Sequence, residues 1–517
     1  MSELLSQFQQ TYDKLLTRAE NRCVAGDLDM AAGLLRGAID LAQTHLHGLI
    51  EDGRVDQLVA GLATRAFGPR RVRQPKRTES LRVGFLIRHL LDHRGGGKSW
   101  FFIADGLRRH GCHTFFYVPE ATSSNLEQRV AQSGIPVRMP IPDSRPLARA
   151  RVLRQWMAED EIDIVFNYDM GDWLGGELAL LGGDVPMTIF HHNTDHLFSV
   201  CVHSFECHLA LRQTTLRPCR NYNETAYCAC LPLPGSLHAG AVPPVSLTRA
   251  ALGIPDDAIV TVTTTTLSKL VNSVTYFECL DEVLERHPQT HHVLIGGGDP
   301  QQTEFVQQQV ARMRAAKRVY SMGRRENVPS LLRLADIFID SHPIGGFTAC
   351  LEAMQAGLPV LTLSEGRDPI FSGESALELP DCIAPTRAEF VARLERLVTD
   401  ATWRRELGGQ LRDIYARKYD PDVAVAQYAA FLRALPGEVA ARSVTRSANT
   451  GQRFLYPVQL GNPNERRPLD YVADAFDIAS AGSGLGTRSR MGAQFAAAFP
   501  GLLAHRRFWG AAGRRHN

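Results

Sequence analysis

The sequence predicts an α/β protein in which two lobes, each built on a parallel sheet, face each other across a cleft. Three observations support this prediction. The chain has 517 residues, which is too long for one hydrophobic core. From residue 81 onwards strand, glycine turn, helix and strand follow one another, the pattern of a parallel sheet. The same alternation begins again at residue 258, after a proline-rich stretch that indicates a hinge.

Five segments follow from these patterns: residues 1–75, a helical N-terminal region with a linker; 80–245, the first lobe; 246–400, the second lobe; 401–436, closing helices that return towards the first lobe; and 437–517, a basic tail of low complexity. In the first segment, apolar residues recur at helical spacing on both sides of a turn at Asp27, which can cap a helix. For the tail we expect a solvated, partly disordered extension.

The composition narrows the class of protein. A net charge of +2 gives no reason to expect a specific nucleic-acid partner. No apolar run is long enough to cross a membrane, and the polar N-terminus does not resemble a secretory signal. The ten cysteines form no C-x-x-C pair, so we expect free thiols in a reducing cytoplasm. We therefore predict a cytoplasmic protein, whose basic tail could contact the inner face of a membrane.

The segment from Asp340 to Val360 carries the strongest chemical signal. Asp340 ends a strand, Gly345 and Gly346 form a turn, and Phe347 begins a helix. Backbone N–H groups at a helix start, together with the helix dipole, bind anions, and glycines let a diphosphate approach the backbone. On this helix Thr348 offers a hydroxyl donor. Glu352, one turn later, could accept hydrogen bonds from both hydroxyls of a ribose.

This segment resembles the donor-binding stretch of the GT-B glycosyltransferases, a fold of two Rossmann-like lobes. The residues that match are Asp340, Gly346, Thr348, Glu352, Ala356, Gly357, Pro359 and Val360. The resemblance extends over roughly residues 80–435, but only this segment is specific. It implies that the chain binds a nucleotide-sugar donor through its second lobe, and it gives Glu352 the ribose-binding place.

The branch of the family stays open. The large retaining branch, the family 4 type, has two glutamates eight positions apart, and Ile344 stands where the earlier one would be. The inverting branch that includes O-GlcNAc transferase is the closer resemblance, although Phe347-Thr348-Ala349 matches its pattern only in part. The loop after residue 264 also resembles that branch, which implies that Lys269 contacts the diphosphate.

A glycine turn around Gly297 follows a strand at the same edge of the second lobe. GT-B enzymes usually carry such a turn there. Both a donor contact and a tight loop without a ligand fit the sequence.

In the first lobe, Gly95, Gly96 and Gly97 precede Lys98 and Ser99, which suggests a phosphate-binding P-loop. That motif needs a glycine at position 92, and Asp92 stands there, so we exclude an ATPase. The glycines suit the acceptor-side loop of GT-B enzymes instead.

Three further first-lobe positions are catalytic candidates with His93, which could be a base or a sugar contact. Asp169 follows one predicted strand, and His191 and His192 lie in a loop after another. Histidine can take a proton from an acceptor hydroxyl near neutral pH. Adjacent histidines point apart in an extended chain, which argues against a metal site in this loop. The GT-B resemblance implies that a metal is seldom needed, so we expect no metal and no other cofactor.

The sequence therefore predicts a glycosyltransferase that moves a sugar from a nucleotide-diphosphate sugar. A UDP-linked donor such as UDP-GlcNAc is expected, with a protein, glycan or lipid-linked acceptor. Two alternatives remain, a non-catalytic GT-B scaffold that binds partners and a sugar-nucleotide epimerase.

Overall fold

A computed structural model gives the structure of the protein. It describes residues 3–46, 49–76, 80–88, 95–119, 130, 132–139, 141–168, 174–192, 198–201, 204–211, 226–236, 247–271, 274–325, 328–365, 373–441, 452–454, 472, 475, 476 and 499.

The N-terminal region is mostly helical, as predicted. Its elements are α1 (Glu3–Val24), α2 (Leu28–His45), β1 (Leu49–Asp52) and α3 (Gly53–Phe67). The Asp27 carboxylate accepts a hydrogen bond from the N–H of Met30, so the aspartate caps α2. The helices share a core with one face of the first lobe, which joins the two regions into one packed body.

The tail was expected to be a solvated extension, and its described residues contradict this. Strand β17 (Gln452–Phe454) pairs antiparallel with β1. Val472, Ala475, Phe476 and Phe499 are buried in the core that contains the N-terminal helices. These apolar side chains leave water by packing against a distant part of the chain, which local composition does not reveal.

The first lobe contains a parallel sheet of seven strands in the order β10-β9-β8-β6-β3-β4-β5. The strands are β3 (Arg82–Ile87), β4 (His113–Tyr117), β5 (Val137–Arg138), β6 (Ile164–Tyr168), β8 (Met187–His192), β9 (Cys207–Ala210) and β10 (Tyr227–Cys230). Its helices are α4 (Gly95–Arg109), α5 (Pro146–Glu159) and α6 (Leu174–Leu181). Two short strands, β2 (Arg71–Val72) and β7 (Asp184–Val185), form a separate pair. A buried ion pair between Arg70 and Glu206 holds the linker on this lobe.

The second lobe contains a parallel sheet of six strands in the order β13-β12-β11-β14-β15-β16. The strands are β11 (Ile259–Thr264), β12 (Thr290–Ile295), β13 (Val319–Ser321), β14 (Ile337–Ile339), β15 (Val360–Leu363) and β16 (Ile383–Ala384). The helices are α7 (Val274–Arg286), α8 (Pro300–Arg312), α9 (Val328–Leu331), α10 (Phe347–Ala356), α11 (Glu374–Leu377) and α12 (Arg387–Thr399). The four inner strands, β11, β12, β14 and β15, are rich in β-branched residues and almost wholly buried, as parallel strands covered on both faces require.

Two long helices end the second lobe and return to the first. Helix α13 (Ala401–Ile414) packs on the second lobe, a π-helical turn (Tyr415–Tyr419) follows, and α14 (Pro421–Ala440) packs in the core of the first lobe. At the crossing the N–H of Gly235 donates to the carbonyl of Tyr419 at 2.7 Å. Within the described residues, no helix is long and apolar enough to cross a membrane.

Candidate functional site

The centre of the second sheet is a topological switch point. From β11 the chain moves outward to β12 and β13, then returns to β14 beside β11 and moves outward the other way. The loops after β11 and β14 therefore leave in opposite directions and open a crevice at the carboxyl ends of the strands. Ligands of open α/β sheets bind at such a point.

The loop after β11 brings Lys269 into this crevice. A 3₁₀ turn, Leu267–Lys269, is held by a hydrogen bond from the N–H of Leu267 to the carbonyl of Gly297, at 3.1 Å. The Lys269 Nζ donates to the carbonyl of Gly345, at 2.9 Å, and the side chain is half-buried. A lysine ammonium thus lies beside the turn that precedes α10, where an anion would gain from both.

Asp340 organises that turn. Its Oδ1 accepts hydrogen bonds from the N–H groups of Ser341 and Gly346, at 2.9 and 2.7 Å. Its Oδ2 accepts from the Thr362 hydroxyl at 3.1 Å and from the N–H of Gly373 at 3.4 Å. The side chain is buried, so these four donors satisfy a carboxylate that water barely reaches. Sequence reasoning placed Asp340 at the end of a strand and missed this role.

The start of α10 faces the same crevice. Its N-cap is Gly346, which has no side chain to cap the helix, and the first turn carries no acidic residue. A Cβ at Gly346 would lie 3.5 Å from Asp340 Oδ1 and 3.9 Å from Lys269 Nζ, so the glycine keeps the approach to the lysine open. Thr348 and Glu352 are half-buried on α10, one turn apart. The Phe347 ring makes an edge contact with Tyr419, with centroids 6.3 Å apart.

The glycine turn after β12 is explained mainly by packing. A Cβ at Gly296 would lie 2.0 Å from the carbonyl oxygen of Thr265, so only glycine fits there. The next helix, α8, is already capped, because Asp299 and Gln302 form a reciprocal capping box. Gly297 is half-buried beside Arg324, and its contact with a donor stays a prediction.

The first sheet has its own switch point, between β3 and β6. His93 follows β3 and Asp169 follows β6, so chain order puts both after the strands that flank this point. Both residues lie outside the described part of the structure.

Helix α4 begins at Gly95. The prediction that Gly95, Gly96 and Gly97 form a loop is therefore wrong, because they are the first turn of the helix. A helix start leaves N–H groups free, so glycines there still suit a site for a polar ligand.

The prediction of a loop at His191 and His192 is also wrong, because they are the last two residues of β8. As expected for an extended chain, their rings lie on opposite faces of the sheet. His191 is fully buried, with its ring 4.4 Å from that of Trp100. His192 Nε2 lies 3.0 Å from Nδ1 of His208 on β9, a residue that sequence reasoning missed.

A second buried polar pair lies in the same lobe. The Asn167 amide donates to the Glu177 carboxylate at 2.7 Å, and both side chains are buried. Asn167 is next to Tyr168 at the end of β6, so this pair fixes the start of α6 against the strand end that precedes Asp169. Sequence reasoning missed Glu177 because it lies within an apolar helix.

Metal binding has no visible basis in the described residues, where no three His, Cys, Asp or Glu side chains form a group that could hold an ion. The nine cysteines in that part of the chain form no disulfide with one another. At the site, burial raises the pKa of the Cys350 thiol, and the nearby Asp340 carboxylate raises it further, so this side chain is a neutral packing group. That the reaction needs no metal stays a prediction.

Comparisons with known proteins agree with this geometry. The family described as "Glycosyl transferases group 1" matches residues 262–400, which contain Lys269, Asp340 and Glu352. No curated protein sequence matches the chain. Residues 262–400 of the second lobe therefore match a group 1 glycosyltransferase domain.

Solved structures extend the likeness beyond that domain, although at low identity they show the fold alone. A Thermobaculum terrenum O-GlcNAc transferase mutant is 16% identical, with a TM-score of 0.55 over 84% of this chain and 85% of that one. Anabaena HepE in complex with UDP and glucose is 15% identical, with a TM-score of 0.53 over 68% and 99%. A Rickettsia africae glycosyltransferase is 13% identical, with a TM-score of 0.53 over 70% and 100%.

The predicted GT-B glycosyltransferase is confirmed by the group 1 domain and by the two-lobed fold. The enzyme class that the sequence predicted, a glycosyltransferase, agrees with both findings. Neither assigns the donor, the acceptor or the stereochemical outcome.

Proposed function

We propose that the protein transfers a sugar from a UDP-linked donor, UDP-GlcNAc in the first instance, to a hydroxyl of a protein or glycan acceptor. One observation carries the proposal. Lys269 Nζ lies beside the start of α10, whose N-cap is Gly346, at the switch point of the group 1 domain, and it is 2.9 Å from the carbonyl of Gly345. Anabaena HepE, which shares the fold, is described in complex with UDP and glucose.

In the proposed reaction, a half-buried cation and the positive end of a helix stabilise the negative charge that develops on the leaving diphosphate. This is the main electrostatic demand of the transfer, and these groups meet it without a metal. Glu352, one turn into α10, binds the ribose. A first-lobe residue, His93 or Asp169, takes the proton from the acceptor hydroxyl if the reaction inverts.

A thermal-shift and calorimetry panel of nucleoside diphosphates and their sugars tests the proposal. We expect UDP to bind and to stabilise the protein, and UDP-GlcNAc to do so among the sugars. Absence of binding across the panel would overturn the proposal and favour a non-catalytic scaffold. Conversion of the donor sugar without any acceptor would instead identify an epimerase.

A further inference from the structure

A line of buried polar side chains lies inside the second lobe, behind the turn that begins at Asp340. Thr261 and Thr263 belong to β11, His292 to β12 and Tyr276 to α7. All four are at most 3% exposed, among the apolar side chains of the core. Polar groups at this depth need hydrogen-bond partners, so each donor hydrogen can be assigned to a particular acceptor.

The four side chains form one continuous chain of hydrogen bonds. Thr261 Oγ1 lies 2.8 Å from His292 Nδ1, and His292 Nε2 lies 3.0 Å from the hydroxyl of Tyr276. The Tyr276 hydroxyl lies 2.8 Å from Thr263 Oγ1. Thr263 Oγ1 in turn lies 2.6 Å from the carbonyl oxygen of Ile339. This series of hydrogen bonds therefore ends at Ile339, the residue directly before Asp340.

That carbonyl lies where two strands separate. The ladder between β11 and β14 ends at the pair Val262 and Phe338. One residue later the Ile339 carbonyl accepts from the hydroxyl of Thr263. A side chain thus sets the spacing of the two strands at the mouth of the switch point.

The direction of the hydrogens follows from which atoms can donate. A carbonyl only accepts, so Thr263 donates to Ile339. Its single hydrogen is then used, so the Tyr276 hydroxyl must donate to Thr263. Tyr276 must in turn accept from His292, which therefore carries a hydrogen on Nε2. With a neutral ring, His292 Nδ1 accepts from Thr261.

We propose that Thr263, Tyr276 and His292 are positioning residues for the diphosphate-binding turn, with their hydrogens directed from Thr261 to the carbonyl of Ile339. The assignment of a diphosphate to that turn rests on the proposed function. The Ile339 carbonyl sets the position of Asp340, whose carboxylate holds the N–H of Gly346. Gly345 lies between Asp340 and Gly346 in the sequence, and its carbonyl accepts a hydrogen bond from the ammonium of Lys269.

Burial supports the neutral ring. It lowers the pKa of His292 to about 3, so the imidazole is uncharged near neutral pH. Burial also raises the pKa of the Tyr276 hydroxyl, which keeps its proton and stays a donor. His292 and Tyr276, the two titratable side chains in this series of hydrogen bonds, therefore each keep a single protonation state near neutral pH.

Nuclear magnetic resonance of the full chain, with ¹⁵N-labelled histidine, tests the direction. The His292 signals are assigned by their loss in His292→Gln. We expect hydrogen on Nε2, none on Nδ1, and no titration from about pH 5 to pH 8. In Tyr276→Phe the Nε2 hydrogen loses its acceptor, so it should move to Nδ1, while Thr261 donates to the His291 carbonyl, 3.2 Å away. Hydrogen on Nδ1 in the unmodified protein, or a titrating ring, would overturn the assignment.

Calorimetry with UDP tests the positioning role. Thr263→Val removes the hydroxyl, and we expect UDP affinity to fall about tenfold, with Thr263→Ser restoring most of it. Thr290→Val is the matched control, because Thr290 is equally buried, starts the neighbouring strand and makes no side-chain hydrogen bond among the described residues. Its affinity for UDP should stay unchanged.

The outcomes separate the inference from the proposed function. Failure of the unmodified protein to bind UDP contradicts the proposed function and the positioning role together. If it binds UDP and Thr263→Val binds equally well, only the positioning role is wrong. If Thr263→Val does not fold, Tyr276→Phe decides by the same measurement, with an expected loss of about threefold and no loss as the contradicting result.

Discussion

The two lobes share one architecture, a parallel sheet with a central switch point, but the ends of their strands carry different chemistry. In the second lobe, the switch point between β11 and β14 holds an ammonium, a helix start with a glycine N-cap, and a buried carboxylate that fixes the turn between them. In the first lobe, the described strand ends carry histidines, with His192 bonded to His208 and His191 packed on Trp100. The second lobe thus places a cation and a helix start at its strand ends, and the first lobe places histidines, a residue type that can exchange protons near neutral pH.

The difference shows how two lobes of the same architecture can supply different parts of one reaction. Electrostatic stabilisation of a leaving group needs fixed donors, which a helix start and a tight turn supply from the backbone. Proton transfer needs a titratable side chain near an acceptor that varies between enzymes, so it depends on loops. Variants of the second lobe should therefore change nucleotide affinity, and variants of the first should change turnover alone.

The largest effect is expected from Lys269→Ala. Removal of the ammonium should lower kcat about 100- to 1,000-fold, because the leaving diphosphate loses a charged donor. It should also weaken UDP binding in calorimetry. Lys317→Ala, an exposed lysine of the same lobe, is the control and should leave both quantities unchanged. Normal turnover in Lys269→Ala would contradict the proposal that the second lobe stabilises the leaving diphosphate.

His93→Asn tests the proposed role of the first lobe in proton transfer. If His93 takes the acceptor proton, kcat should fall about 100-fold, the usual contribution of a general base. The affinity for UDP should not change, because the nucleotide binds to the second lobe. Steady-state kinetics and calorimetry on the same preparation provide the measurement. A large loss of UDP affinity with normal kcat would place His93 on the donor side and break the division of roles.

Glu352→Gln should have an intermediate effect confined to nucleotide binding. The amide keeps the shape of the side chain but loses the charge that strengthens its bonds to the ribose hydroxyls, so UDP affinity should fall about tenfold. The deoxy analogue of UDP, which lacks the 2′-hydroxyl, should lose much less. Glu406→Gln, an exposed glutamate on α13, is the control. Equal losses for UDP and its deoxy analogue would contradict ribose recognition by Glu352.

The donor side could be predicted from the sequence because its groups lie on two short segments. Lys269 ends one loop, and Gly346, Thr348 and Glu352 share one turn and helix, so spacing alone relates them. The role of Asp340 could not be predicted, since two of its partners, Thr362 and Gly373, are 22 and 33 residues away. No local pattern encodes such contacts.

The same reasoning explains what was missed elsewhere. His208 lies on β9, a strand of four residues that the periodicity did not reveal, so its bond to His192 was not expected. The buried tail residues, such as Phe476, owe their burial to contact with the opposite end of the chain. Sheet order itself, which creates both switch points, also depends on contacts between distant strands.

Substitutions at two glycines of the second lobe should distinguish an effect on stability from an effect on UDP binding. Gly296→Ala would place a methyl 2.0 Å from the Thr265 carbonyl oxygen, so we expect a loss of about 2 kcal/mol in unfolding free energy, seen as a lower Tm. Gly346→Ala meets the Ala349 side chain at 3.1 Å, and Asp340 and Lys269 at 3.5 and 3.9 Å. It should lower UDP affinity about threefold by crowding the phosphate site, with a smaller loss of Tm than Gly296→Ala. The reverse pattern would assign the donor contact to the turn after β12.

The smallest effect concerns a histidine that serves structure and not proton transfer. The folded pKa of His292 is about 3, below the value of about 6.5 for an unfolded chain. Between these values the unfolded chain binds a proton that the folded chain does not, so His292 makes the protein less stable as pH falls. His292→Gln removes this dependence, although it costs stability at neutral pH. From about pH 6.5 to about pH 5.5, the stability gap between the two proteins in urea unfolding should narrow by about 1 kcal/mol. A constant gap for His292→Gln would mean that the ring accepts a proton in the folded lobe.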